Sequence, residues 1–161
     1  MKLASIRVQM PDNLPVVLLK EVVEGSATAS RTLPILIGHE EATAIARAIQ
    51  GHEPTRPLTH DLMRDLLAAM DVTIEAIVVT ELRDAIFYAE IRMRRAGEAF
   101  IVSSRPSDAI ALAVRTRTPI FADEALLDSE AVLLEEDEEQ EEVIEEFQKF
   151  IEGVRPEDFA S

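Results

Sequence analysis

Apolar positions in the first quarter of the chain follow strand-like runs broken by turn residues. Residues 3–10 and 16–24 are rich in Val, Ile and Leu, and PDNLP at 11–15 supplies a turn, which predicts a hairpin. GSATAS at 25–30 reads as a flexible connection, and TLPILI at 32–37 as a third strand ended by Gly38. The period then changes. Ala42, Ile45, Ala46 and Ile49 recur at i, i+3, i+4 and i+7, which predicts a helix over about 39–50 with a single buried stripe. Glu40 and Glu41 sit in its first turn, where the helix dipole favours acids, and Gly51 suits its C-terminal cap.

A proline-stiffened link at 53–58 leads to a second helix, for which Thr59 offers an N-cap hydroxyl. Leu62, Met63, Leu66, Leu67 and Met70 line one face of it. Strands follow at about 72–80, 86–94 and 99–103, with turns at Arg83-Asp84 and Gly97-Glu98. A third helix over about 107–116 contains AIALAV and is apolar nearly all round, so it belongs at the centre of the fold or against a partner subunit. TPIF at 118–121 reads as a short strand and ADEALL as one helical turn. Val143, Ile144, Phe147, Phe150 and Ile151 keep helical spacing, which predicts a final amphipathic helix over about 139–152 before a frayed RPEDFAS end. Strands outnumber helices and come in hairpins. The expected class is α+β, a mainly antiparallel or mixed sheet with three packed helices and an acidic C-terminal helix. The expected organisation is one domain over 1–125 and an acidic tail over 126–161.

Charge sharpens that division. Residues 123–161 hold 16 acidic and 2 basic residues, whereas residues 1–122 hold 15 acidic and 14 basic. The body is therefore nearly neutral, and a broad electrostatic footprint for tight nucleic-acid binding is missing. Nucleic-acid contacts are expected to be weak and local. Most of the body's basic residues are arginine, which grips phosphate or carboxylate with two parallel hydrogen bonds. The acidic run at 135–146 reads first as a solvated segment, and more sharply as a competitor for arginine sites. The absence of cysteine excludes disulfides and thiolate chemistry. No apolar run approaches the length of a membrane span, and MKLASIRVQM lacks a signal-peptide core, so a cytoplasmic protein is expected.

Four strings carry a resemblance: LPILIGHEEATAIA (33–46), EPTRPLTHDLMRDLL (53–67), RDAIFYAEI (83–91) and SRPSDAIALAVRTRTPIF (104–121). In this order and spacing they are similar to the bifunctional nuclease domain, and the RPEDF ending resembles its actinobacterial-type members. The resemblance implies a compact α+β homodimer that degrades both DNA and RNA; it assigns no catalytic residues. Two positions depart from the family pattern. Leu36 stands where an aromatic is common, and Ala85 where a glycine is frequent.

Phosphodiester cleavage needs an activated water, charge relief on the phosphate and help for the leaving oxygen. His60 is the candidate base. Asp61 and Asp108 are candidate catalytic or orienting groups. Asp61 and Asp65, four apart on one helix, are the candidate ligands for a divalent metal such as magnesium or manganese. Arg56, Arg105 and Arg83 are the candidate phosphate-binding residues. Each has a plainer reading. Asp61 stabilises the helix start, Asp65 pairs with an arginine, Ser107 and Asp108 cap the third helix, and Arg83-Asp84 forms a turn with an internal salt bridge. The rival to an enzyme is a dimeric interaction module that assembles through the third helix and residues 33–46.

Overall fold

The computed structural model describes residues 2–9, 13–22, 29–52 and 54–135. The helix expected over 139–152, the RPEDFAS end and parts of the first two connections lie outside the described residues. Strands β1 (Lys2–Gln9), β2 (Leu14–Lys20) and β3 (Ala29–Leu36) form an antiparallel meander. Val17 faces Ile35 and Leu19 faces Leu33 across the ladder, so one side of this sheet is a continuous buried surface. Helices α1 (His39–Ile49) and α2 (Thr59–Ala69) follow. Then come β4 (Thr73–Arg83), β5 (Ile86–Arg95) and β6 (Glu98–Ser104), helix α3 (Pro106–Thr116), β7 (Ile120–Ala122), α4 (Glu124–Glu130) and β8 (Val132–Glu135).

Among the described residues there are two four-stranded sheets. Their orders are β1-β2-β3-β8, all antiparallel, and β6-β5-β4-β7, in which β7 runs parallel to β4. This is the expected α+β class, with one antiparallel and one mixed sheet. The pattern of residues 132–135 suggested no element; it forms β8 by pairing with β3. Arg31 of β3 secures this end of the sheet, binding Glu21 and the α4 residues Glu124 and Asp128.

Helix α3 is the centre. Ala109 to Ala113 are all buried, and the helix packs against α1, α2, β4 and β5 at once. Its alternating alanines let those neighbours approach closely, while Ile110 and Leu112 fill the space between. Of the two placements expected for the third helix, the centre of the fold is the one observed.

Helix α2 departs from its pattern. Leu62, Met63, Leu66 and Met70 are exposed (Leu66 is 52% accessible), and the buried member of the helix is Asp61. The apolar stripe faces solvent, and the polar bonds that His60 and Asp61 of the first turn make to α3 set the roll of the helix. Among the described residues β6 is also unpartnered along its outer edge: Phe100, Ile101 and Val102 are all exposed.

Two tight turns join β4, β5 and β6. Asp84 and Ala85 have φ of 52° and 62°, and Ala96 and Gly97 have φ of 49° and 87°. Positive φ at both central residues is the geometry that matches the right-handed twist of a two-residue hairpin. Ala85, standing where the family favours glycine, therefore bears a left-handed conformation that penalises a Cβ. Ala85→Gly is expected to raise unfolding stability by about 1 kcal/mol, read as a higher denaturant midpoint at unchanged slope. A lower midpoint would contradict the strain.

Candidate functional site

The two polar helix entrances meet where α2 begins. Leu58 is the N-cap, in an extended conformation, and Thr59 is the first helical residue. The cap thus lies one position before the expected Thr59. Leucine has no side-chain acceptor, so the helix start is satisfied from within. Asp61, the third helical residue, turns back and its Oδ2 accepts the Leu58 N–H at 3.0 Å.

The other oxygen of Asp61 accepts from Arg115 Nε at 2.6 Å. The Arg115 side chain, from the last turn of α3, is 5% exposed. It also donates Nη1 to the Ala111 carbonyl at 2.9 Å and Nη2 to the Ala44 carbonyl at 3.1 Å. One guanidinium therefore ties α1, α2 and α3 together. Burial opposes the charge of Asp61, yet the hydrogen bonds from Arg115 and from the Leu58 amide outweigh it and hold the carboxyl below the usual aspartate range.

His60, one residue earlier, faces the opposite end of α3. Its Nε2 lies 3.2 Å from Asp108 Oδ1, and its side chain is 13% exposed. Arg105, the N-cap of α3, donates Nε to Asp108 Oδ2 at 2.7 Å and Nη2 to Asp108 Oδ1 at 3.1 Å. Its Nη1 donates to Glu41 Oε1 of α1 at 2.9 Å. The result is a chain of four groups, His60–Asp108–Arg105–Glu41, assembled from three helix starts. Its exposed member is Arg105, whose side chain is 66% accessible.

Burial again opposes the charge of Asp108, and the hydrogen bonds from Arg105 and His60 overcome it and lower the pKa. An ionised carboxylate only accepts. His60 Nε2 must therefore carry the proton, and in the neutral ring the lone pair sits on Nδ1. Asp108 makes these bonds in place of capping α3, which has no side-chain cap. The positive end of the α3 dipole lies beside Arg105.

The profile of the bifunctional nuclease domain matches residues 17–135, which includes every member of this cluster. The chain belongs to the bifunctional nuclease domain family. An uncharacterized protein of Mycobacterium tuberculosis, recorded for strains CDC 1551 and H37Rv, is 42% identical over 165 residues, covering 98% of this chain and 96% of its own. A rice protein (Oryza sativa subsp. japonica) called bifunctional nuclease 2 is 25% identical over 121 residues, covering 73% of this chain and 36% of its own.

Within this bifunctional nuclease domain, the structure brings together His60, Asp108 and Arg105 and leaves other candidates apart. Asp61 adjoins His60 in sequence but points inward to Arg115. Asp65 pairs with its neighbour Arg64 at 2.8 Å on the surface. Arg83 lies at the β4–β5 hairpin; it binds Glu81 at 2.9 Å and covers the Tyr88 ring at 4.6 Å. The expected Arg83–Asp84 salt bridge is replaced by this pair because residues two apart on a strand share a face, whereas Asp84 has entered the turn. Arg56 is exposed in the loop before α2 and makes no ion pair among the described residues.

Two residues escaped the sequence reading. Glu41 had been understood only as a dipole-matching acid. Gly38 explains its reach: a methyl group at position 38 would collide with the Glu41 carboxylate. Arg115 was a charge on an otherwise apolar helix, and that mismatch was the available signal for a buried partner.

Asp61→Asn is expected to destabilise the fold by about 3–5 kcal/mol at neutral pH, because it leaves Arg115 buried without a counter-charge. The folded pKa of Asp61 is lowered, so its contribution is complete above the ordinary value of about 3.9 and disappears as pH falls through the folded value. Denaturant titrations of both proteins across acid pH check this. The gap between wild type and Asp61→Asn should close below about pH 4; a constant gap would refute the assignment.

Proposed function

We propose that the protein hydrolyses phosphodiester bonds of DNA and RNA at the His60–Asp108–Arg105 cluster. The observation that carries this reading is the His60–Asp108 contact, a base and its orienting carboxylate drawn together across 48 positions of sequence. Family membership and the name of the rice relative support it at the level of reaction class.

In this reading a phosphate of the strand exchanges with Glu41 for the exposed Arg105 guanidinium, which offers a two-pronged match to its oxygens. His60 Nδ1 takes a proton from a water aimed at phosphorus. The new P–O bond forms as the bond to the departing sugar oxygen breaks; that oxygen takes a proton from solvent as it leaves, and the His60 imidazolium returns its proton to solvent. Asp108 holds the ring in one tautomer and stabilises the imidazolium, while Arg105 and the α3 amino end offset charge on the phosphoryl oxygens. The activated nucleophile is water, not a ribose hydroxyl, which is what action on both DNA and RNA requires.

The donor set does not fit a resident magnesium or manganese ion. Asp61 has both oxygens engaged, Glu41 and Asp108 are held by Arg105, and no group of three His, Asp or Glu gathers among the described residues. The acid–base route stands without one.

The nearly neutral body restricts nucleic-acid contacts to such local sites. We also propose a homodimer in which the outward stripe of α2, Leu62, Leu66 and Met70, packs on the same stripe of a second copy. These residues recur every fourth position, so a two-fold axis across α2 makes the surface complementary to itself. The same exposed stripe favours the second functional reading, a non-catalytic dimeric module whose polar cluster only holds the fold. No helix among the described residues is long and apolar enough to cross a membrane.

Nuclease assays on His60→Ala and wild type, purified identically and run with and without magnesium or manganese, separate the two readings. His60→Ala should lose about 10²–10⁴-fold in turnover, and Asp108→Asn should lose less. Equal activity in wild type and His60→Ala would remove the enzyme reading and leave the module. Sedimentation equilibrium should show Leu66→Glu as a monomer where wild type is a dimer; matching masses would exclude the α2 interface.

A further inference from the structure

We infer that a subsite for one nucleotide unit of a single strand lies on the far side of the first turn of α2 from His60. Its link to catalysis rests on the phosphodiester reading; its binding chemistry does not.

A cleft of about 450 Å³ opens there, between the carboxyl ends of α1 and α3 and the loop before α2. Clefts of roughly 300–1,000 Å³ are the size that takes small organic ligands. Pro54, Pro57 and Val114 give it apolar walls suited to the flat face of a base. The Asp61–Arg115 pair also lines it, its two charges already matched. Asp65 on the rim is matched by Arg64 in an exposed pair that opens at little cost. That leaves Arg117.

Arg117 is the C-cap of α3 with a φ of 56°, the left-handed conformation for which glycine is the default. Its side chain is exposed and makes no ion pair among the described residues. The left-handed turn ends α3 as helices commonly end; what the fold leaves unexplained is an uncommitted arginine rather than glycine at that turn, on the edge of the cleft. Arg117 and Arg64 together can grip one phosphate, while the attached nucleoside lies against the prolines.

The subsite and the cluster flank the start of α2: Asp61 lines the cleft and His60 is the preceding residue. Arg105 and Arg117 cap opposite ends of α3, about 18 Å of helix apart, so a strand with one unit in the cleft reaches Arg105 with a phosphodiester several units further along. A free mononucleotide shares this chemistry; the proposal commits to the strand.

Titration calorimetry on the full chain tests it, using an oligothymidine with uncleavable phosphorothioate links, thymidine 5′-monophosphate and inorganic phosphate as separate probes. Arg117→Gly should weaken oligothymidine binding about tenfold and reduce the salt slope by about 0.7, as for one lost phosphate contact. The same variant should unfold at higher denaturant, because the strain is relieved, so the loss of binding cannot be a folding defect. Arg95→Ala, an exposed arginine at the end of β5, should bind as wild type does. Unchanged affinity in Arg117→Gly, or equal loss in Arg95→Ala, would overturn the subsite. Mononucleotide binding as tight as the oligothymidine would overturn the strand assignment. His60→Ala should keep its affinity: an inactive His60→Ala beside an unaffected Arg117→Gly removes the subsite alone, and an active His60→Ala beside a weakened Arg117→Gly removes the catalytic reading alone.

Discussion

Arg115 reaches from the last turn of α3 into the space between three helices, where each of its bonds replaces one that water would have made. Nε meets the Asp61 carboxylate, and the two terminal nitrogens meet carbonyls of α3 and α1. A charge at 5% exposure is tolerated because each of its three nitrogens is hydrogen-bonded and a carboxylate faces it. The requirement fixes how α2 is rolled about its axis. With Asp61 held inward, the preceding residue must point along the other side of α3, and that is where Asp108 stands.

The same constraint explains why α2 is inside out. A helix with five apolar residues on one face would normally bury them, since hydrophobic burial is non-directional and large. Here the polar bonds at its first turn decide the orientation, and the apolar stripe is left exposed. The site and the exposed stripe are thus two consequences of one buried ion pair. Charge distribution fits this economy. The body carries almost no net charge, so on the proposed reading recognition of a polyanion falls to placed arginines, Arg105 at the cluster and Arg117 at the cleft.

Much of the fold was legible along the chain because local periodicity reports which face is wet. The α1 stripe (apart from Ile49, which is 53% exposed beyond the end of the buried face), the all-round apolar α3, and the β4–β5 and β5–β6 turns were each marked by spacing or turn residues. β8 was missed because four residues beside an acidic run carry no period long enough to read; its pairing with β3 decides it. Asp61 could be read as a helix-start acid, and it serves that purpose. That it also accepts Arg115, 54 positions away, could not be read, because nothing local links the two. Glu41 was similarly invisible as a partner of Arg105, and Gly38 as the residue that leaves its carboxylate room, since these relations are ones of reach across the fold.

The amino-acid pattern alone determined the element types, the α+β class, the neutral body with its acidic end, and the set of polar residues worth considering. These depend on short-range properties: backbone propensity, the 2.0 and 3.6 periods, and counted charge. The tertiary structure alone decided which of those residues meet. It chose His60–Asp108–Arg105–Glu41 as one chain of bonds, turned Asp61 inward, left Asp65 on the surface and set Arg83 on a separate hairpin. The physical reason is that hydrogen bonds and ion pairs act over a few ångströms in space, and only packing around α3 converts distant positions into neighbours.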